Sequence, residues 1–351
     1  MPANTNLASN DAYPKTAVLQ ESGGIGDFVM HLPYFRAAAA HSRRGKVSVI
    51  ARPSTLAKDL VSHESWVEEI IDYDCLRRDI DGGKALHAGL AGTWRMAREL
   101  RARHFERILL FTNHSKCGLL AWLARIPRRA GYGFGFRPNR INRLFLNEGP
   151  YIKRHDKRNC DGYWNATHFA IAHGLCAAPI VPRVTVPDEH IQKMRNRLAT
   201  LPRPFCALVI GSTIMRDGSK QWGVANFSAL ASELITRGDG VLLLGGPAET
   251  HMARSIENAI PAAQRRSITS LTQGTLLETA AALSLARLCV GNDTGATHLA
   301  AACGRPAYMV LRPPNLFDHD PLLHLITAPS LDAISTDCVL ARITGELRNE
   351  N

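Results

Sequence analysis

The chain has little of what several function classes require. Its eight cysteines include no CxxC pair, and its fourteen histidines are scattered without an HxxxH or His–Cys cluster, so no metal site is expected. Cys206 and Cys289 sit inside apolar runs, which reads as buried free thiols in a reducing compartment. No run approaches the roughly twenty apolar residues that a membrane span needs. The first fifteen residues are polar and small, with no apolar h-region, so a flexible leader in a cytoplasmic protein is expected. The turn Gly23-Gly24-Ile25-Gly26-Asp27 lacks the GxGxxG spacing of a dinucleotide fingerprint, and no cofactor is expected. No short repeat or low-complexity tract occurs.

What is present describes a globular protein. Of 351 residues, 45% are hydrophobic and 21% charged, enough for two α/β domains with a core in each. The net charge is +11, and it is concentrated. Between Arg95 and Arg158 sixteen Lys and Arg stand against four acids. Such a window is either a solvated basic face or a surface for a polyanion or an anionic membrane. Charge alone leaves nucleic acid and acidic lipid both open.

Strands and helices alternate along the chain. Apolar runs mark strands at 16–19, 47–51, 67–71 and 108–111 in the first half. Helices are expected from Asp27, from about Ser54, over 93–104 with Trp94, Ala97 and Leu100 at helical spacing, over 117–124 and over 164–173. The segment IPRRAGYGFGFRPNR reads as an exposed loop. Three prolines in AAPIVPRVTVPDE place the domain boundary, giving a first domain over 16–180 and a second over 181–351. In the second, helices are expected over 191–199, 226–236, 250–259 and 276–285, with strands over 205–210 and 241–244. An amphipathic last helix over 337–348 could pack back on the first domain. The fold class is therefore α/β, two doubly wound units with mostly parallel sheets.

The chemistry gathers at polar turns after strands. In GNDTGATHLAAACGRP the run ending at Val290 stops at Gly291. Asn292 and Asp293 are turn and N-cap types, and small helical residues follow. Unpaired N–H groups at such a helix start can hold a phosphate, and the same pattern also describes an ordinary βα turn. SGGIGDFVMHLP repeats the strand–glycine turn–helix arrangement around Asp27.

Four stretches in order, SGGIGDFVMHLP, GSTIMRDGSKQW, GGPAE and GNDTGATHLAAACGRP, resemble glycosyltransferase family 9, which includes the ADP-heptose:lipopolysaccharide heptosyltransferases. The resemblance implies a GT-B architecture with a cleft between two Rossmann-like domains. It places the acceptor on the first and the nucleotide sugar on the second, with metal-independent transfer and inversion at the anomeric carbon. It implies that Asp27 is the general base, in a turn formed by Gly24 and Gly26. Lys220 is implied against the diphosphate, with Ser212 and Thr213 as phosphate-contacting hydroxyls. Glu249 is implied to contact the nucleoside, and Asp293, Thr294, Gly295 and His298 to cradle diphosphate and sugar. A carboxylate beside the attacking hydroxyl and fixed cations beside the departing diphosphate are what such a transfer needs.

The sequence departs from the family pattern in places. MRDGSKQW stands where relatives have a tighter arginine–lysine–tryptophan segment, so Arg216 is expected to share the role of Lys220. LRPPNLFDHD replaces a glycine-proline-threonine turn, and Gln273-Gly274 replaces a methionine beside the base. The expected partners are a nucleotide sugar, ADP-heptose first, and an anionic glycolipid acceptor, with peripheral contact at the cytoplasmic face of the inner membrane and no nucleic acid. The competing expectations are another nucleotide sugar or acceptor on the same fold, or a non-catalytic sugar-nucleotide or glycan-binding module.

Overall fold

The computed structural model describes residues 11–76, 85–133, 142–152, 161–212, 220–313 and 317–347. The chain divides into two compact units, Met1–Pro182 and Arg183–Asn351.

The first unit carries strands β1 (Thr16–Leu19), β2 (Val47–Ala51), β3 (Val67–Asp72), β4 (Arg107–Leu110) and β5 (Arg128–Gly131), in the order β3-β2-β1-β4-β5. All four of its strand pairings are parallel. Helices α1 (Ile25–Ala40), α2 (Ala57–Val61), α3 (Gly89–Ala102), α4 (Ser115–Leu123) and α5 (Asp161–Ala172) complete it. Every residue of β1, β2 and β4 is buried, as central strands covered on both faces must be. Met96, Ala97 and Leu100 of α3 share one apolar cluster with Leu120 and Ala121 of α4 and Leu19, Ile108 and Leu110 of the sheet. Helices α3 and α4 therefore cover the same face.

The second unit begins with α6 (Asp188–Arg197) and contains β6 (Phe205–Val209), α7 (Val224–Thr236), β7 (Gly240–Leu244), α8 (Thr250–Ala259) and β8 (Ile268–Leu271). It continues through α9 (Leu276–Leu285), β9 (Leu288–Asn292), α10 (Gly295–Ala302), β10 (Ala307–Leu311), β11 (Leu323–Thr327) and α11 (Thr336–Leu347). Its strand order is β11-β10-β9-β6-β7-β8, again parallel throughout. The last helix packs on α7, and its Val339, Leu340 and Ile343 belong to this unit's core.

Both orders are those of doubly wound folds. In each sheet the connections leave in opposite directions at one pair of neighbouring strands, β1/β4 and β6/β9. The carboxyl ends of such a pair form a crevice where ligands bind.

Three edge elements differ from the sequence expectation. Part of the expected loop IPRRAGYGFGFRPNR is strand β5, whose Arg128 is exposed while Ala130 and Gly131 are buried; residues 134–141 lie outside the described residues. Strands β8 and β11 give no continuous apolar run, because each is an edge strand with partly exposed Thr, Ser or His. Helix α3 starts at Gly89, and Trp94 lies outside its buried stripe of Gly92, Thr93, Met96, Ala97 and Leu100.

Much of the basic window is consumed internally. Arg107 and Arg128 both pair with Glu148, and Arg103 pairs with Glu69. Arg129 donates to the carbonyls of Phe145 and Ile126.

Candidate functional site

In the first unit the turn after β1 builds a polar pocket. Gly24 takes the N-cap position of α1 without a side-chain cap, and Asp27 lies in the helix's first turn. A carboxylate there is favoured by the helix dipole. Arg52 lies close over the turn: a Cβ on Gly23 would lie 2.2 Å from its Nη1, the far end of a side chain free to shift. Ser54 Oγ donates to the Gly23 carbonyl at 2.7 Å, fixing the turn from its other side. Gly26 is buried beneath the helix start.

Asp27 opens onto a cavity of about 170 Å³ lined also by Glu21, Ser22, His31, Phe111, Thr112, His114, Tyr132, Gly162 and Asn165. The walls come from the ends of β1 and β4, the two strands of the switch point, with His31 of α1, Tyr132 beyond β5, and Gly162 and Asn165 of α5. Across it His114 Nε2 lies 3.2 Å from Glu21 Oε2. His31 Nδ1 donates to the Asp27 carbonyl at 2.7 Å, one helical turn back. Its ring packs against Phe35 and Phe111. A cavity that sets two carboxylates, Glu21 and Asp27, beside hydroxyl, amide and imidazole groups suits a polyhydroxylated ligand.

In the second unit three turns converge at the β6/β9 switch point. Lys220 Nζ lies 2.6 Å from Asp293 Oδ2, joining the turn after β6 to the turn after β9. Asp293's side chain is 9% exposed and that of Lys220 30%, so the cation keeps an open side. Asn292, fully buried, ties the same two turns together. Its Oδ1 accepts from the Trp222 amide at 2.9 Å, and its Nδ2 donates to the Ile210 carbonyl at 2.8 Å. Thr294 holds the N-cap position of α10 but makes no side-chain capping bond. The helix start at Gly295 therefore presents amide groups without that cap. Ser212 is buried on the β6 side of the crevice. Thr213 and Arg216 lie outside the described residues.

Glu249 enters from the end of β7. It is 6% exposed, and its Oε2 accepts from the Gly246 amide at 2.7 Å. Its stem crosses directly over Gly211, where a Cβ would lie 2.4 Å from Glu249 Cγ. One carboxylate oxygen is thus committed to backbone and the side chain is held against the β6 turn. Beside it Thr250 Oγ1 donates to Thr272 Oγ1 at 3.0 Å and accepts from Gln273 Nε2 at 3.2 Å.

His298 is a core residue. It is 4% exposed, edge-on to Phe317 at 4.7 Å and beside His319 at 5.1 Å. Burial, then His319 and Lys220, drive its pKa well below 6.5. The ring is neutral at pH 7 and supplies no positive charge to an anion. Among the described residues its buried Nδ1 has no hydrogen-bond partner.

The structure thus brings Lys220, Asp293, Thr294, Gly295 and Ser212 to one switch point and sets Glu249 against it. Asp27, with Gly24 and Gly26, stands at the corresponding point of the first unit. The sequence reading missed Arg52, Glu21, His114 and Asn165, and it read Asn292 only as a turn residue. Arg52 follows β2 directly and Glu21 follows β1, so position after a strand end was the available signal. Asn165 sits mid-helix in α5 and carried none.

Comparison with known proteins identifies the family and the fold. Residues 93–328 match the model of glycosyltransferase family 9 (heptosyltransferase). Lipopolysaccharide heptosyltransferase 2 of Salmonella typhimurium is 24% identical over 302 residues, covering 86% of this chain and 83% of that protein. The solved structure of E. coli ADP-heptose lps heptosyltransferase II superposes with a TM-score of 0.74 at 20% identity, covering 96% of this chain and 99% of the other. An E. coli heptosyltransferase solved with ADP-2-deoxy-2-fluoro heptose gives a TM-score of 0.68 at 18% identity, covering 95% and 99%. The fold is that of the GT-B heptosyltransferases. The chain belongs to glycosyltransferase family 9 and is a glycosyltransferase.

Proposed function

We propose that this glycosyltransferase moves heptose from ADP-heptose onto an anionic lipopolysaccharide-core acceptor, with inversion at the anomeric carbon, at the cytoplasmic face of the inner membrane. The observation that carries the donor half is the Lys220–Asp293 pair at 2.6 Å beside the uncapped start of α10. Diphosphate oxygens would take the open side of Lys220 and the amides at Gly295, with Ser212 as a further donor. These groups offset the charge that grows on the leaving diphosphate, the term that usually dominates such catalysis. Glu249, with one oxygen held by Gly246, would accept a ribose hydroxyl on the other. Thr250 and Gln273 would meet the base beyond it.

On the acceptor side Asp27 is assigned as general base. It takes the proton of the attacking sugar hydroxyl as the new glycosidic bond forms and the bond to the diphosphate breaks. Glu21, His114 and Asn165 would orient the acceptor sugar. His298 is assigned to the wall behind the diphosphate, where its neutrality fits a packing role. The relatives' names point to lipopolysaccharide as acceptor, and the polar pocket around Asp27 fits a sugar.

A thermal-shift screen against ADP-, GDP- and UDP-linked sugars tests the donor. A nucleotide sugar at about 100 times its Kd stabilises the fold by about 2.7 kcal/mol, so ADP-heptose is expected to raise the Tm by several degrees and the GDP and UDP sugars by less. No response to any of them would sink the donor assignment.

A further inference from the structure

Several large apolar side chains are exposed together on the first unit. Leu86 and Leu90 are 53% and 84% exposed, Trp94 and Trp122 57% and 51%, and Leu144 77%. They lie on the loop before α3, on the outer side of α3, near the end of α4 and in the short 3-10 helix Asn142–Leu144. Helix α3 packs on α4, and α4 on that 3-10 helix. These elements therefore form one continuous outer layer over the sheet.

Cations are interleaved with them. Arg95, Arg98, Arg101, Arg125 and Arg143 are all exposed. Among the described residues of this layer the one acid is Glu99, which faces His87 Nε2 at 3.4 Å. Arg98 lies over the Trp94 ring at 4.9 Å, and the two line a shallow groove with Ala91, Arg95 and Glu99. Unlike Arg103, Arg107, Arg128 and Arg129, whose partners lie within the unit, Arg98 and Arg101 stand on the outer face of α3.

Apolar surface of this kind, set among charges of one sign, marks an interaction site. Its chemistry selects the occupant. Exposed Trp and Leu flanked by Arg is the composition of an interfacial membrane face, with rings and aliphatic chains at headgroup depth and guanidinium groups on phosphates. A second copy of the chain would set arginines against arginines across a two-fold axis. Nucleic acid would satisfy the arginines and leave Leu90 and Leu144 in water.

We propose that the outer face of α3, α4 and the Asn142–Leu144 turn docks on an acidic phospholipid bilayer. Leu90, Trp94, Trp122 and Leu144 enter the interface, while Arg95, Arg98 and Arg101 meet lipid phosphates. The proposal specifies the membrane contact suggested above, and it holds whatever sugar is transferred.

Flotation of the full chain with vesicles tests it. Binding is expected to vesicles of phosphatidylcholine with about one-third phosphatidylglycerol, to weaken as salt rises, and to be far weaker on phosphatidylcholine alone. Brominated acyl chains in the acidic vesicles should quench tryptophan emission, and Trp94→Phe with Trp122→Phe should remove most of that quenching. Leu90→Ser with Trp94→Ala should weaken binding at least about tenfold. Arg98→Gln with Arg101→Gln should weaken it about twentyfold or more, at roughly fivefold per cation. A donor thermal shift equal to wild type in each variant shows that the fold is kept. Equal binding to neutral vesicles, absence of quenching, or variants that bind like wild type would each overturn the proposal. So would a dimer in sedimentation that Leu90→Ser with Trp94→Ala dissociates, which would give the face to a second copy. Vesicle binding without any donor shift would refute the donor assignment and leave the docking intact.

Discussion

Asn292 shows how a single buried amide sets the geometry of a charged site. It is fully buried between the ends of β6 and β9, and both ends of its amide are used. Replacing it with Ala leaves the Trp222 amide and the Ile210 carbonyl unmet, at about 1–3 kcal/mol for each buried group. Asn292→Ala is therefore expected to lower stability by about 2–6 kcal/mol in denaturant titrations and to weaken donor binding, since Lys220 rides on the turn that Asn292 holds. Asn292→Asp is expected to be no rescue, because a carboxylate would face the Ile210 carbonyl oxygen. Lys220 gives the complementary case. A charged hydrogen bond of 2.6 Å would count about 1.5–3 kcal/mol when buried, but with Lys220 30% exposed it is discounted to about 1 kcal/mol. Lys220→Met should thus leave the fold nearly intact and weaken the donor at least about tenfold in calorimetry. Full donor affinity in Lys220→Met would remove Lys220 from the site. These residues differ in legibility: Lys220 and Asp293 stand in recognisable turns, whereas Asn292 looks like any turn residue until its amide is placed.

At the scale of elements, β9 and α10 depend on the closeness of β6. A Cβ on Gly291 would come within 2.5 Å of Thr297 Oγ1 and 2.7 Å of Val209 Cβ. Thr297 Oγ1 cannot simply move, because it donates to the Asn292 carbonyl at 2.8 Å. Gly291→Ala is accordingly expected to cost about 1–3 kcal/mol by overpacking, visible as a lowered denaturation midpoint. An unchanged midpoint would show that β6 and β9 can separate there. The central strands β1, β2, β4, β6, β7 and β9 were legible because burial on both faces makes them continuous apolar runs, whereas β10, equally buried, was not marked. The edge strands β5, β8 and β11 were not: each is half-solvated, so Arg128, Thr269 and His324 interrupt the pattern. The exposure of Trp94 was not legible for a related reason. Its helical spacing with Ala97 and Leu100 marked the helix, and periodicity cannot tell an aromatic that faces the core from one that faces outward.

For the whole molecule, both units carry histidines that resist protonation, His173 in the first and His298 and His319 in the second. Burial pushes His173 down to about 4 and His319 likewise to about 4, from 6.5. Because the folded values are depressed, the unfolded chain binds more protons between about 6.5 and about 4. Stability is complete above the upper value and is lost as pH falls through that window. The Tm is expected to drop progressively from pH 7 to pH 4, and His319→Gln should flatten part of the drop. A Tm constant across that range would contradict the assigned burial. The two-unit α/β organisation was readable from the alternation of runs; the compact units are Met1–Pro182 and Arg183–Asn351. The family was readable from four short motifs in order. The walls of the Asp27 pocket were not, because Glu21, His114 and Asn165 are distant in sequence and meet only where β1 lies beside β4 and α5 packs on α1.

The assignment of Asp27 as the proton acceptor is the centre of the proposed mechanism, and transfer by purified Asp27→Ala tests it most directly, measured beside its affinity for ADP-heptose. Loss of general-base catalysis predicts turnover lower by about 10²–10⁴-fold with donor affinity within about twofold of wild type. Near wild-type turnover in Asp27→Ala would contradict it.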